Sequence, residues 1–393
     1  EIHTSLYTLS LHDALPISVV VPEMDAEPEG NDTSTLPEEK EARITQPFDT
    51  RAIRIESKSG NMNTLLSRLE NDEIDLEPDF QRLGGIWNKK NQSRLMESLM
   101  LRIPIPAFYF DGTDDEKWLV VDGLQRLTAI RRFVIDQDLK LCDLEYLKEH
   151  ESKTFSELPR PLQRAIREAD LVWYLIMPGT PDNVKFDVFR RINTGGLPLS
   201  SQEIRHALNG KPVTDVIRKL AESEEFKQAT AYGLSDKRMD DRECVTRFLV
   251  FAVFPPASYD KDDFDAFLNN GMHHLNAHPE LLEDLQRRFL RAMRAAERIF
   301  GNDAFRKRYY SNATRFPVNK ALFESWSVNL DACTDEDLQR LEQKKDVLKE
   351  AFMRLMREDS VFEKAVTQGT GSISRVKCRF REIRKLIQGV LHA

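Results

Sequence analysis

The spacing of hydrophobic positions predicts helices and short strands in the first half of the chain and helices almost throughout the second half. Apolar residues recur at helical spacing in residues 63–71, 92–102, 124–134 and 201–208. Short aromatic and β-branched runs predict strands at residues 107–110, 118–121 and 171–177. The turn-prone segment DGTDDEK separates the first two runs, so we expect them to pair. From about Lys211 onward, long charged amphipathic stretches predict an α-helical region.

Capping residues mark the boundaries of two helices near residue 200. Thr180 and Pro181 are expected as the N-cap and the first position of one helix, which ends at the NTGG segment. This helix is expected to carry three apolar residues inward: Val184, Val188 and Ile192. Ser200 and Glu203 have the spacing of a capping box, which opens the next helix.

Composition and charge restrict the class of protein. With 393 residues, 40% apolar and 31% charged, the chain is long enough for two domains of ordinary size. Four isolated cysteines indicate neither a disulfide framework nor a zinc site, which suits a reducing cytoplasm. No run approaches the roughly 18 apolar residues of a membrane span. The net charge of -8 argues against a surface that is basic throughout, so any DNA contact must be local.

The chain divides into four predicted segments. SLHDALPI is the in-frame translation of a DNA string found in common sequencing adapters. Residues 1–18 are therefore interpreted as an artefact. A secretory signal is the alternative, but its basic start is missing. Residues 19–47 are acidic, which is typical of a disordered tail. A mixed α/β domain is expected over residues 48–210 and an all-α domain over residues 211–393.

The segment VVDGLQRLTAI, residues 120–130, has the order strand, Asp-Gly, helix. Backbone N–H groups at the start of a helix attract phosphate, and Gly123 allows close approach. Arg126 offers a charged fork for phosphate oxygens, and Gln125 is placed to orient a water or to bond sugar or phosphate. Asp122 is a candidate to hold a magnesium-bound water or to act as a base. The alternative is that Asp122 caps the helix and Arg126 pairs with a surface acid.

VVDGLQRLTAI resembles the signature, usually written DGQQR, of domain-of-unknown-function family 262. That family includes the N-terminal domain of GmrSD-type modification-dependent restriction enzymes and belongs to the ParB and sulfiredoxin-like superfamily. Gly123 and Arg126 also match the Gly-x-x-Arg spacing of the superfamily. Further similar segments follow the same order, at residues 77–87, 92–110 and 189–208. The resemblance covers roughly residues 50–210 well and the helical part more loosely.

The resemblance implies both a fold and an activity. The fold is a ParB/sulfiredoxin-like small mixed sheet with helices, followed by an all-α domain. The activity is the binding and hydrolysis of a nucleoside triphosphate with Mg²⁺, with Asp122, Gln125 and Arg126 as catalytic residues. Gly123 and Thr128 are expected to contact the nucleotide. Leu124 stands where the signature usually has its first glutamine, which removes one expected polar contact.

Two further segments are candidate nucleotide contacts. In the first, Arg82 can meet a phosphate and Trp87 can stack on a base, with Gln81 beside them. Its alternative is that Phe80 and Trp87 close the core while Arg82 pairs with Asp122 or Glu97. The second joins a helix end to a possible anion-binding loop: Arg191, Asn193, Thr194, Gly195 and Gly196. Its alternative is an ordinary left-handed helix stop.

Basic residues gather in residues 287–298, 305–310 and 374–385, where helical spacing can align them with DNA phosphates. A solvated charged face is the usual alternative, since acidic residues interrupt the runs. The histidines near residue 275 lack the pattern of an HNH nuclease, and the sequence shows neither a zinc helix nor a Walker lysine loop. We therefore expect no metal site made by protein side chains alone.

We predict a cytoplasmic nucleoside-triphosphate-binding and hydrolysing protein of a bacterial anti-phage or restriction system. Its partners would be the nucleotide, DNA bound through the basic helices and a separate nuclease subunit, with no membrane contact. One alternative is a nucleotide-gated DNA- or protein-binding module without catalysis. Another is a nuclease that uses an unrecognised site in the helical region.

Overall fold

The computed structural model describes residues 54–76, 87–114, 116–192, 199–236 and 238–392, apart from the side chains of residues 182 and 183. The predicted adapter-derived segment and the predicted acidic tail lie outside these ranges.

The strands of the described residues are β1 (Ile55–Asn61), β2 (Ile74–Asp75), β3 (Phe108–Asp111), β4 (Trp118–Asp122) and β5 (Asp170–Ile176). They form a five-stranded sheet in the order β1-β5-β3-β4-β2. The pairs β1/β5 and β3/β4 are antiparallel, whereas β5/β3 and β4/β2 are parallel. The expected small mixed sheet, the predicted strand pair and the strand near residue 171 are confirmed. β1 was not predicted, because IESKSGN is largely polar and lies at an edge of the sheet.

The helices around the sheet are α1 (Met62–Glu70), α2 (Lys89–Met100), α3 (Leu124–Ile130), α4 (Arg160–Arg167), α5 (Asp182–Ile192) and α6 (Ser201–Leu208). The predicted helix over residues 124–134 is therefore α3 followed directly by a π-helical turn, Arg131–Ile135. Leucines of α1, α2 and α3 pack with Phe108, Phe110 and Trp118 on one side of the sheet. The other side packs against α5 and α6 through Phe186, Phe189 and Ile204.

The capping predictions near residue 200 have different outcomes. Ser200 and Glu203 form the expected capping box of α6. The helix expected to begin at Pro181 begins at Asp182, and the hydroxyl of Thr180 donates to the Met177 carbonyl at 3.0 Å. Of its three predicted inward residues, Val184 is buried, whereas Val188 and Ile192 are half-buried.

The rest of the described chain is helical, as expected. Its helices are α7 (Val213–Ala221), α8 (Glu224–Ala229), α9 (Asp240–Val253), α10 (Phe264–Ala277), α11 (Leu281–Phe300), α12 (Lys320–Asp331), α13 (Asp335–Gln343), α14 (Lys345–Glu358), α15 (Ser360–Thr367) and α16 (Ile373–His392). One isolated β-bridge joins Arg306 and Val318 in this part. The division into domains near residue 210 stays a prediction. In the described ranges, every helix is too short or too polar to cross a membrane.

Candidate functional site

The junction between β4 and α3 is a glycine turn beside an aromatic ring. β4 ends at Asp122, Gly123 has a φ of 102°, and α3 begins at Leu124. The N–H of Leu127 donates to the Gly123 carbonyl at 2.9 Å and closes the first turn. A Cβ atom at residue 123 would overlap the ring of Phe108. The backbone conformation and the lack of space therefore both require glycine here.

Arg126 is buried beneath this turn, with 8% of its surface exposed. Its Nη2 donates to Asp122 Oδ2 and to the Ala107 carbonyl, each at 3.1 Å, and its Nη1 donates to the Pro106 carbonyl. The guanidinium also lies over the ring of Phe108, 4.6 Å from its centroid. Burial lowers the pKa of Arg126, and the charge of Asp122 opposes that shift. Arg126 therefore fixes the turn to the start of β3.

The contacts of Arg126 correct one interpretation of the turn. Gly123 is the N-cap residue of α3, so Asp122 does not cap this helix. Arg126 does pair with an acid, but that acid is Asp122 and the pair is largely buried, with 10% and 27% of the two side chains exposed. A guanidinium has five N–H groups. Three hydrogen bonds to the described residues leave two of these groups for another acceptor.

Gln125 connects the turn to the beginning of α2. Its Oε1 accepts a hydrogen bond from the backbone N–H of Trp87 at 2.9 Å. The carbonyl of Trp87 accepts a hydrogen bond from the side chain of Gln92. The indole of Trp87 is half-buried against the core. The structure thus brings Trp87 to the turn through its backbone. The packing of the indole supports the alternative in which Trp87 closes the core.

A pair of tyrosines lies next to the turn and was not recognised from the sequence. Tyr109 is opposite Asp122 in the β3/β4 register, and its ring stacks on Tyr174 of β5 with 4.8 Å between centroids. Burial raises the pKa of Tyr109, and the charge of Asp122 raises it further. A β-bulge between Tyr109 and Phe110 shifts the register of this pair. Strand periodicity alone does not reveal such a shift, so the sequence carried no clear signal.

Of the other predicted nucleotide contacts, two lie within the residues that the structure describes. Thr128 is half-buried on α3, one turn beyond Leu124. Arg191 is exposed in the last turn of α5, and no hydrogen bond or ion pair within the described ranges joins it to the β4–α3 turn. The remaining candidates lie outside the described residues: Gln81, Arg82, Asn193, Thr194, Gly195 and Gly196.

The basic runs form many contacts inside the helical region. On α11, five arginines pair with carboxylates: Arg287, Arg288, Arg291, Arg294 and Arg298. On α16, Arg379 pairs with the buried Glu324, while Arg381 and Lys385 pair with Glu382. These carboxylates offset much of the positive charge that DNA phosphates would meet. DNA binding through these helices stays a prediction.

The described ranges contain no group of three or more His, Cys, Asp or Glu side chains placed to hold a metal ion. At the turn, Asp122 is the carboxylate in contact with Arg126. Magnesium in nucleotide sites commonly takes one or two carboxylates and completes its shell with phosphate oxygens and water. Asp122 fits that limited role and no larger one.

The fold and the turn define an α/β protein in which a glycine turn over a buried arginine joins strand to helix. Residues 62–209 match the family described as GmrSD restriction endonuclease, N-terminal domain. The match includes the β4–α3 turn and confirms the family resemblance. It indicates a component of a restriction or anti-phage system. No curated protein matches the chain.

Proposed function

We propose that the β4–α3 turn binds the phosphates of a nucleoside triphosphate. The observation that carries this proposal is the left-handed Gly123 between β4 and α3, packed on Phe108 with no room for a side chain. Such a turn lets a phosphate approach the backbone at the start of a helix, where amide groups have no intrahelical acceptor. The helix dipole adds a favourable field for the negative charge.

The side chains around the turn support an anionic ligand. Arg126 keeps two N–H groups beyond its described hydrogen bonds, and burial strengthens the interaction of its charge with a nearby anion. Mg²⁺, if it accompanies the phosphates, would be held by Asp122 directly or through water. The roles proposed for Gln81, Arg82 and residues 193–196 rest on the family resemblance alone.

We further propose that the bound nucleoside triphosphate is hydrolysed at this turn. Gln125 would orient the attacking water, and Asp122 would accept its proton. The Asp122–Arg126 ion pair disfavours the second step, because Oδ2 of Asp122 already accepts a hydrogen bond from Arg126. This pair favours a second candidate function, in which the nucleotide acts as a switch for a DNA or protein partner without turnover.

The experiment measures nucleotide binding by calorimetry and phosphate release with the purified full chain and each of the four nucleoside triphosphates. We expect binding of at least one nucleotide, which Gln125→Ala and Arg126→Lys weaken. Arg126→Lys keeps the charge but loses the planar fork. The matched control is Arg131→Ala, which removes a half-exposed arginine of the following π-helical turn.

The outcomes separate the two candidate functions. Phosphate release that falls in Gln125→Ala and Asp122→Asn supports an NTPase. Binding without release supports the nucleotide switch. Absence of binding to every nucleotide, or equal binding by wild type, Gln125→Ala and Arg126→Lys, contradicts the proposed site.

We further propose that the protein works in the cytoplasm with a nuclease, which a restriction system requires. Its four cysteines, all within the described ranges, are free thiols, which is consistent with that compartment. Incubation of the purified protein with plasmid DNA, with and without nucleotide, tests whether the chain cuts DNA itself. Cleavage that persists in Arg126→Lys and requires the helical region would contradict the need for a separate nuclease.

A further inference from the structure

The helical region contains a cavity of about 150 Å³ with aromatic walls. Phe300, Trp326 and Phe352 line it together with Phe305. The ring centroids of Phe300 and Trp326 are 4.7 Å apart and those of Trp326 and Phe352 are 5.4 Å apart, with the planes steeply inclined in both pairs. An apolar cavity of about 150 Å³ is large enough for a single aromatic ring.

The charged residues that line this cavity are mostly cationic. Arg306, Arg308 and Lys349 contribute three positive charges, and Asp303 contributes one negative charge. Asp303 lies 3.3 Å from Arg308 and offsets that arginine. Lys349 has neither a hydrogen bond nor an ion pair to the residues that the structure describes. An apolar cavity thus borders two cations without a carboxylate partner.

Arg306 keeps its charge in an unfavourable environment. It is 3% exposed, and its guanidinium donates to the carbonyls of Thr230, Asn302 and Phe316. Burial lowers its pKa to about 10, repulsion from Arg315 adds to the shift, and the charge of Asp303 opposes it. The group remains protonated near neutral pH, so its positive charge would stabilise a nearby anion.

We propose that this cavity is a binding site for a small planar aromatic anion. The ring would lie among Phe300, Trp326 and Phe352, where edge-to-face contacts are available. The anionic group would face Lys349 and the arginines. A largely apolar pocket with a few convergent polar groups is the usual form of a small-molecule site. This site is separate from the proposed nucleotide turn and does not depend on it.

One residue that lines the cavity, Phe305, has a left-handed backbone conformation. Its φ of 61° is strained for a non-glycine residue. This conformation places the buried Phe305 ring 4.5 Å from the ring of Phe323, next to Arg306 in the chain. Such strain persists only where the surrounding structure holds it.

The test titrates the purified full chain with phenyl phosphate and benzoate by calorimetry, with benzyl alcohol as the neutral analogue. We expect the two anions to bind more tightly than benzyl alcohol. Lys349→Ala should weaken binding of the anions about tenfold or more, the loss expected for one charge-assisted hydrogen bond. Met353→Trp should abolish binding of all three, because the indole would occupy the cavity that Met353 lines.

Two control variants distinguish this site from other positions on the protein. Arg354→Ala removes an exposed cation from the same helix, and we expect unchanged binding. Gln125→Ala alters the β4–α3 turn, so unchanged binding of phenyl phosphate excludes that turn as the source of the signal. Equal affinity for benzyl alcohol and the anions, equal binding by wild type and Met353→Trp, or no binding of any probe would overturn the proposal.

Discussion

Gly123 and Arg126 share one small volume beside the ring of Phe108. The ring occupies the space that a side chain at residue 123 would need, and the guanidinium lies over the same ring. Each of the three residues therefore restricts the other two. The role of Arg126 in the fold must be separated from any role in binding, and a substitution that keeps its charge is the better probe of binding.

We expect Gly123→Ala to destabilise the protein by about 2–5 kcal/mol. The left-handed backbone costs an alanine about 1–2 kcal/mol, and overlap with Phe108 adds about 1–3 kcal/mol. Urea unfolding measures the change. Gly389→Ala is the control, because residue 389 lies in α16 with open space around it, and helix propensity favours alanine by about 0.5–1 kcal/mol. Equal effects of the two substitutions would contradict the role of the turn.

Asp241, in the first turn of α9, makes the stability of the protein depend on pH. Burial raises its pKa to about 6, whereas an unfolded aspartate titrates near pH 3.9. The folded state therefore binds more protons between about pH 4 and pH 6, and this group reduces stability as pH rises through that window. Relative to wild type, Asp241→Asn should gain about 1–3 kcal/mol between pH 4 and pH 8, after allowance for solvent screening.

The measurement is the free energy of unfolding of wild type and Asp241→Asn at several pH values in that range. Asp260→Asn is the control, because Asp260 is exposed. A difference between wild type and Asp241→Asn that stays constant with pH would contradict the proposed burial effect.

Helices α9, α12 and α16 are joined by buried ion pairs. Glu324 of α12 lies between Arg247 of α9 and Arg379 of α16, and all three side chains are at most 1% exposed. Arg247 also bonds Glu243 of α9 at 2.6 Å. Each charge is costly to bury alone and is compensated by its partners. These pairs also explain why Arg379, a basic residue of the last helix, faces inward.

Glu324→Ala should destabilise the protein by about 3–5 kcal/mol, because it leaves Arg247 and Arg379 with less compensation in the core. Thermal and urea unfolding measure the loss. For comparison, Glu342→Ala removes an exposed partner 3.9 Å from Arg298, and we expect a change within about 1 kcal/mol. A loss below about 1 kcal/mol for Glu324→Ala would show that the buried pairs contribute little.

At the scale of the whole molecule, α6 contacts both the sheet and the helical region. Ile204 packs with the buried apolar residues between the sheet and α5. On the side of the helical region, Gln202 bonds Thr246 and Arg205 bonds Asp265 at 2.5 Å. Gln202 and Arg205 are both fully buried. The predicted boundary near residue 210 would separate α6 from these partners in the helical region.

We therefore expect a fragment of residues 199–393 to have a higher melting temperature than a fragment of residues 211–393. The shorter fragment leaves Thr246, Asp265 and Asn269 without their partners on α6 and in the residue that follows it. Circular dichroism during heating provides the comparison. Equal melting temperatures would support the predicted boundary near residue 210.

Local pattern was sufficient for several elements and for the family resemblance of the first part of the chain. Helical spacing placed α1 and α2 within a few residues, Ser200 and Glu203 predicted the cap of α6, and the DGLQR order located the β4–α3 turn. These features depend on residues within about one helical turn or one hairpin of each other, so neighbouring residues determine them.

Tertiary structure alone decided which distant partners the charged side chains reach. Arg126 reaches the carbonyls of residues 106 and 107, and Arg247 reaches Glu324, 77 positions away. The cavity near Trp326 likewise combines residues from three helices and the segment after α11. Burial and partner choice depend on how distant segments pack, and that packing is not encoded in the periodicity of any one segment.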